Sequence, residues 1–433
     1  MIRKELIKTI LTDNQARALP MRWNRSLEIP TGLDKIVSLT GARRSGKTYM
    51  LYNQIEKLLQ QGVPKEHIVF INFEDERIPF RCDELDIILQ SYRELFPGVD
   101  VSQCYFFFDE IQEAPQWEKF VARIYETISK HIYITGSNAT LLSREIASSL
   151  RGRTLNFEVY PLSFNEYRAI HHPSININTS SGQGKMQSLF QSFIHQGGFP
   201  EIIGKDENIR IKILQEYFNV MVLRDLIQRY DISQTAALRY FCKRVISSSA
   251  CDFSVHKVYL ELKSQGYKIS KNTLYDFQSY TESIFLNHCL DKFDESVIKT
   301  EFSRKRTYVI DQGLGTALDF KLSQDMGRLL ENTVYLELIK HGKSIAYSIQ
   351  DQTECDFVIK GNTTIQEAIQ VAVHLDDPST KNREIRGLIN TCKRYHLNKG
   401  TILCMDRDEE FIENDIFIQV ISAWRYLINL SST

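Results

Sequence analysis

The chain has 433 residues, 42% of them hydrophobic, 11% aromatic and 25% charged, which excludes disorder as the main state and allows sizeable cores without disulfides or structural metals. Fifty-three basic against 54 acidic residues leave a formal charge of −1, so no global field draws the protein to nucleic acid or membrane, and any DNA contact must come from a local patch. No apolar run approaches the roughly 20 residues of a membrane helix. The N-terminus MIRKELIKTILTDNQ carries charges where a signal peptide needs an unbroken apolar stretch. The eight cysteines (82, 104, 242, 251, 289, 355, 392 and 404) form no C-x-x-C pair, so the expectation is reduced, buried thiols in a cytoplasmic protein.

At roughly 100–200 residues per domain the length suggests two to four domains. The first 160 residues alternate apolar runs with helix-period segments. KIVSLTG (35–41), HIVFINFED (67–75), CYFFFDEI (104–111), HIYITGS (131–137) and TLNFEVY (154–160) read as strands, and 47–61 and 116–130 as helices. That alternation implies βαβ units and a mostly parallel sheet. After Pro161 the chain reads as helices over 163–235, interrupted at 171–185 and 197–201. A small helical unit and a hairpin follow over about 236–320, and mixed α and β over 325–433.

Gly41-Ala42-Arg43-Arg44-Ser45-Gly46-Lys47-Thr48 fits G-x-x-x-x-G-K-[ST] between an apolar strand and a helix. Phosphate needs bare backbone whose N–H groups point inward, and the following helix adds its positive end. Lys47 can reach the β- and γ-phosphates of ATP, and the Thr48 hydroxyl can ligate Mg²⁺. Four fixed positions recur by chance in only about one or two chains in a hundred of this length.

Asp109 and Glu110 end the apolar strand Phe106-Phe107-Phe108. Asp109 would hold Mg²⁺ through water, and Glu110 would orient and polarise the attacking water. In Thr135-Gly136-Ser137-Asn138, Ser137 or Asn138 is the candidate γ-phosphate sensor, a plain helix N-cap being the alternative. Asn72, at the end of the second strand, either holds Glu110 away from water or simply forms a turn. In oligomeric ATPases an arginine from a neighbour stabilises the transferring phosphoryl group; Arg151 or Arg153 would act so here, unless both are surface arginines.

These residues, with the run Ser149–Arg153, the segment Tyr160–Tyr167, Trp117 and GGFPE at 197–201, resemble a prokaryotic group of AAA-type P-loop ATPases that carry a C-terminal domain of unknown function. The resemblance covers nearly the whole chain. It implies a five-stranded sheet with the sensing strand between the Gly-rich-loop strand and the Asp-Glu strand, then a helical lid.

Val255–Gly266 and Ile269–Tyr280, the second with Ser270 as N-cap, read as a helix-turn-helix. A hairpin with Arg304-Lys305-Arg306 near its tip would be a wing. On DNA, Lys271, Asn272 and Thr273 would face the major groove while the wing holds phosphates; packing against protein is the alternative. In the last domain Glu331 begins the helical ENTVYLEL, Asp356 lies in the strand ECDFVI, and Ile369–Val373 follows the turn at 361–362. That order resembles restriction-endonuclease-like nucleases, which place Asp and Glu on Mg²⁺ and a lysine by the water. Here Gln370 and Ala372 stand where the second carboxylate and the lysine belong. Lys360, about 13 Å along the strand from Asp356, is too distant to substitute.

The expected architecture is α/β. A P-loop core with an N-terminal helix spans 1–160, a helical lid 161–235, a winged-helix-like module 236–320, and a degenerate nuclease-like domain 321–433. The expected function is Mg²⁺-dependent ATP hydrolysis coupled to conformational change on DNA, through the winged module, or on protein, through the C-terminal domain. Homo-oligomerisation is left open. The alternatives are an ATP-gated interaction switch with slow turnover and an ATP-regulated nuclease.

Overall fold

A computed structural model of the chain describes residues 4–20, 23–78, 84–138, 150, 152–172, 174–350 and 353–430. It divides into two compact units, Met1–Tyr160 with Ser283–Phe285, and Pro161–Glu282 with Leu286–Thr433.

The first unit is built on a parallel sheet of β1 (Ile36–Thr40), β2 (Ile68–Asn72), β3 (Tyr105–Asp109), β4 (Ile132–Gly136) and β5 (Thr154–Glu158), in the order β2-β3-β4-β1-β5. Strand alternation sends side chains to both faces. Val69, Ile71, Phe106, Phe108, Ile132 and Ile134 pack one way, with Ile7, Ile88 and Phe120 from the helices Lys4–Ala16, Asp86–Leu95 and Trp117–Thr127. Phe70, Phe107, Tyr133, Val37 and Leu39 pack the other way, onto Met50, Leu51 and Ile55 of the helix Lys47–Gln60. Because both faces are covered, the strands are continuous apolar runs. β2 lies at the sheet edge, where unpaired backbone is a liability. The N-terminal helix covers it: Asn14 Nδ2 donates to the Phe70 carbonyl (3.0 Å) and Gln15 Nε2 to that of Ile68 (2.7 Å).

The second unit opens with the helices Phe164–His171, Ser180–Gln196 and Glu207–Val220 and a π-helical turn Met221–Gln228. Ser163 and Glu166 form a reciprocal cap at the start of the first. The GGFPE segment is structural. Gly198 N–H donates to the buried Asp311 (2.7 Å), and a Cβ on Gly197 would lie 2.1 Å from an Asp311 oxygen.

Next come the helix Thr235–Ser247, β6 (Cys251–Phe253), the helices Val255–Ser264 and Lys271–Ser283, β7 (Asn287–Leu290) and β8 (Lys305–Val309), the strands forming an antiparallel sheet β6-β8-β7. Ser270 caps its helix as its residue type suggests, accepting the Thr273 N–H at 3.1 Å. The supposed wing tip is corrected. Lys305 and Arg306 belong to β8, and the connection between β7 and β8 carries a short helix, Val297–Phe302, at its far side.

The C-terminal part runs helix Met326–Lys340, β9 (Ile345–Gln350), β10 (Thr353–Lys360), β11 (Ile365–Val371), helix Pro378–Arg394, β12 (Lys399–Cys404), β13 (Glu409–Glu413), β14 (Ile416–Ser422) and helix Ala423–Leu430. Its sheet order is β13-β14-β12-β11-β10-β9, with β11, β12 and β14 mutually parallel. Glu331 lies inside the helix Met326–Lys340 rather than at its start. Among the described residues no helix is long and apolar enough to cross a membrane, and the seven described cysteines are unpaired.

Candidate nucleotide site

The Gly-rich segment leaves β1 where its backbone passes β5 so closely that a Cβ on Gly41 would stand 2.2 Å from the Val159 carbonyl oxygen. Arg44 (φ +69°) and Gly46 (φ +102°) turn the chain into the helix that starts at Lys47. Ala42 and Ser45 are fully buried, and Arg43 reaches Glu74 beyond β2 (2.6 Å). Lys47 is itself buried. A buried ammonium needs a partner for each of its three N–H groups. It has them in the carbonyls of Gly41 and Ala42, both at 3.2 Å, and in Glu110 Oε1 at 3.3 Å. The loop is thus closed around its own lysine. Arg25 braces it from outside, donating to the Ser45 carbonyl (3.2 Å) and the Tyr160 carbonyl (2.7 Å). No pattern in the sequence marks Arg25, which lies in an aperiodic stretch.

Across the loop, the Thr48 hydroxyl lies 3.1 and 2.9 Å from the two oxygens of Asp109. Thr135, at the end of β4, donates to Asp109 Oδ1 (2.7 Å) and accepts the Glu110 N–H (2.8 Å). The backbone of Glu110 is left-handed (φ +49°), and its Oε2 accepts from Gln112 Nε2 at 2.6 Å. Burial, then the adjacent Glu110 charge, push Asp109 up to about 6. Burial presses Glu110 upward as well, but Lys47, Gln112 and Arg43 outweigh it and hold that carboxyl below its ordinary value. The result is an ionised Glu110 facing Lys47.

The structure therefore brings together Lys47, Thr48, Asp109 and Glu110. Asn72 is not among them; its Oδ1 accepts the Glu74 N–H at 2.9 Å, which is the turn-forming alternative. The strand-end groups that touch the acidic pair are Thr135 and Gln112 instead. Ser137 and Asn138 are buried one step beyond β4. Thr135 was hidden in an apolar strand, where a threonine reads as an ordinary β-former.

Arg153 ion-pairs with Glu126, and its guanidinium stands over the Tyr125 ring at 5.8 Å. It precedes β5 at the end of the sheet opposite the loop, since Thr154 pairs with Ile36 and Glu158 with Thr40. Arg151 lies outside the described residues.

Thr135→Val keeps the shape but leaves the buried Glu110 N–H without an acceptor, a loss of about 1–3 kcal/mol. Urea unfolding should show that deficit in the Val variant and little in Thr135→Ser; equal stability of all three proteins would remove Thr135 from this role.

The second carboxylate cluster is closed by an arginine of β8. Arg306 of β8 is 7% exposed and places Nη1 3.3 Å from Glu331 and 3.2 Å from Asp356, with Glu354 also in contact. Tyr308 donates to Glu331 at 2.8 Å, and Val371 N–H to Asp356 at 2.9 Å. Gln370 bonds Glu384 and accepts from the Asp356 N–H (3.3 Å), while Ala372 packs in an apolar core. Arg306 is therefore not a phosphate contact on a wing. It is the cation that Glu331 and Asp356 already have.

The model of a family described as an AAA domain matches residues 33–168, and one of a domain of unknown function (DUF8612) matches 187–325. An uncharacterized protein of Methanocaldococcus jannaschii, MJ1544, is 32% identical over 98% of this chain and 95% of its own length. An uncharacterized protein of Haemophilus influenzae is 30% identical over 76% of this chain and 80% of its own. Among solved structures, the Walker-type ATPase PABY2304 of Pyrococcus abyssi aligns with 73% of this chain and 96% of its own at 15% identity, with a TM-score of 0.42. Glycine-rich loop, Asp-Glu strand end and strand order stand together in one sheet, and with MJ1544 matched over almost its full length the chain belongs to the family of AAA-type P-loop ATPases that includes it.

Proposed function

We propose that the protein hydrolyses ATP with Mg²⁺ and couples turnover to a conformational change on a DNA or protein partner. The observation that carries this reading is Lys47 buried between the loop carbonyls and Glu110. Phosphate oxygens are the natural replacement for those acceptors, and their arrival frees Glu110 to orient and polarise the water that attacks the γ-phosphate. The loop from Gly41 to Gly46 offers its backbone N–H groups to the phosphates. Thr48 and Asp109 present hard oxygen donors in direct contact, a set that suits Mg²⁺, and the burial of Asp109 beside Glu110 favours a cation there. When bound, Mg²⁺ neutralises charge developing between the β- and γ-phosphates. Ser137 or Asn138 would sense the γ-phosphate, and Arg153 or Arg151 would reach a neighbouring subunit's nucleotide in a homo-oligomer.

DNA is favoured as partner by one observation on the winged-helix-like module of the second unit. Lys257, Lys263, Lys268, Lys271 and Asn272 are exposed on its helix pair and the turn between. Tyr267 and Tyr275 are exposed among them, and Lys263 and Lys271 both stand 5.8 Å from the Tyr259 ring. Lysines interleaved with tyrosines suit phosphate and base contact. The C-terminal domain would dock a protein or hold the ATPase in place, in the cytoplasm.

The test is ATP turnover with and without double-stranded DNA, alongside the mass of the ATP-bound assembly. Hydrolysis that stops on chelation of Mg²⁺ and rises with DNA supports a motor. Tight ATP binding with slow turnover that DNA leaves unchanged would remove DNA as the partner and favour the slow switch.

A further inference from the structure

The two oxygens of Glu110 are held by groups with different fates. Oε1 faces Lys47, a contact that ends when the lysine moves to phosphate. Oε2 accepts from Gln112, a contact independent of any nucleotide. Gln112 sits in the single 3₁₀ turn Ile111–Glu113 directly after β3. That turn is fixed by Glu113 N–H on the Glu110 carbonyl (3.1 Å), by Ala114 N–H on that of Ile111 (3.0 Å), and by the complete burial of Ile111. Carboxylate and carboxamide therefore ride on one rigid turn.

Electrostatics decides which way the amide points. With its oxygen toward Glu110 it would oppose acceptor to acceptor, so the N–H₂ end faces the carboxylate. The other end, Gln112 Oε1, is then buried with no hydrogen-bond partner among the described residues. Buried acceptors are rarely left unpaired, because each costs stability. A residue that pays this cost while gripping the acidic group has a use beyond packing.

We propose that Gln112 is a positioning residue for ATP hydrolysis, its amide N–H fixing Oε2 of Glu110 so that Oε1 is the oxygen presented to the attacking water. This rests on the ATPase reading above and deepens it. The role sought at Asn72 falls instead to the fourth residue of Asp109-Glu-Ile-Gln112, and it orients the carboxylate rather than withholding it.

Gln112→Met keeps the length and the packing but has no N–H. A hydrogen bond to a charged group typically carries a factor of about 10–100. The Met variant should therefore lose kcat by about that factor, with KM and binding of a fluorescent ATP analogue within about twofold of wild type. Its Tm should fall only modestly, because Glu110 Oε2 loses a donor while the unpaired Gln112 Oε1 goes with the amide. Gln112→Glu, of the same shape but with an oxygen facing Glu110, should lose at least as much kcat, and Gln112→His, which can still donate, should recover part of it. A Met variant with wild-type kcat, or one whose ATP binding falls with its kcat, overturns the proposal. Glu110→Gln is measured in parallel. If it is inactive while Gln112→Met is normal, the role of Gln112 alone falls; if it hydrolyses normally, the ATPase reading falls and takes this one with it.

Discussion

Glu110→Gln should bind ATP as tightly as the wild-type protein and turn it over about 10²–10⁴ times more slowly, the usual contribution of a positioned general base. Glu110 does not hold phosphate; its carboxylate meets Lys47 and Gln112, and its N–H donates to Thr135. The amide preserves size and leaves the backbone N–H bond to Thr135 in place, so the loop should stay intact. Removing the charge also removes the partner that competes with phosphate for Lys47, so affinity should hold or rise. Lys47→Ala should do the opposite and lose binding itself, because the loop carbonyls of Gly41 and Ala42 are then left facing the phosphates without the cation between. Equilibrium binding and single-turnover hydrolysis separate the two variants. Undiminished turnover by Glu110→Gln would end the assignment.

Arg306→Met should destabilise the protein by about 3–5 kcal/mol, the usual result of stripping the partner from a buried ion pair. Glu331 is already pushed up to about 8 by burial and by Asp356, and Asp356 is raised by burial too, in spite of the Arg306 guanidinium that opposes both. A carboxyl raised above its unfolded value favours the folded state while protonated, so that stability is present below about pH 4.5 and lost as pH climbs through about 8. The deficit of Arg306→Met should accordingly be largest near pH 8 and shrink toward pH 5 in urea unfolding. Adding Glu331→Gln and Asp356→Asn should restore most of the stability, because the polar groups then remain paired without net charge. A deficit that ignores pH, or a triple variant no better than the single, would refute the ion-pair account. The same geometry predicts no cleavage of plasmid or linear DNA with Mg²⁺ or Mn²⁺, whether or not ATP is present. The acidic pair is already neutralised by Arg306, and Gln370 and Ala372 supply neither charge nor base. Specific nicking abolished by Asp356→Ala would reinstate an ATP-regulated nuclease.

What the sequence determined by itself is the ATPase-type core. Five apolar runs became five strands because a sheet covered on both faces needs continuous hydrophobic segments. Gly41–Thr48 and the Asp109-Glu110 end were legible because phosphate-binding chemistry constrains residue type and spacing within a few consecutive positions. The helix pair at 255–280 was legible too, through the local cap at Ser270. Only the tertiary structure could decide contacts between residues far apart in the chain. Thr135 and Asp109 are separated by 26 positions and Arg306 and Asp356 by 50, and neither pair leaves a periodic trace. Arg304-Lys305-Arg306 therefore looked like a basic tip until β8 turned one of its arginines into the core. Gln112 lay only two residues from Glu110, yet it too was invisible, because the left-handed backbone at Glu110 that folds one side chain onto the other is a property of the turn and not of the residues that make it.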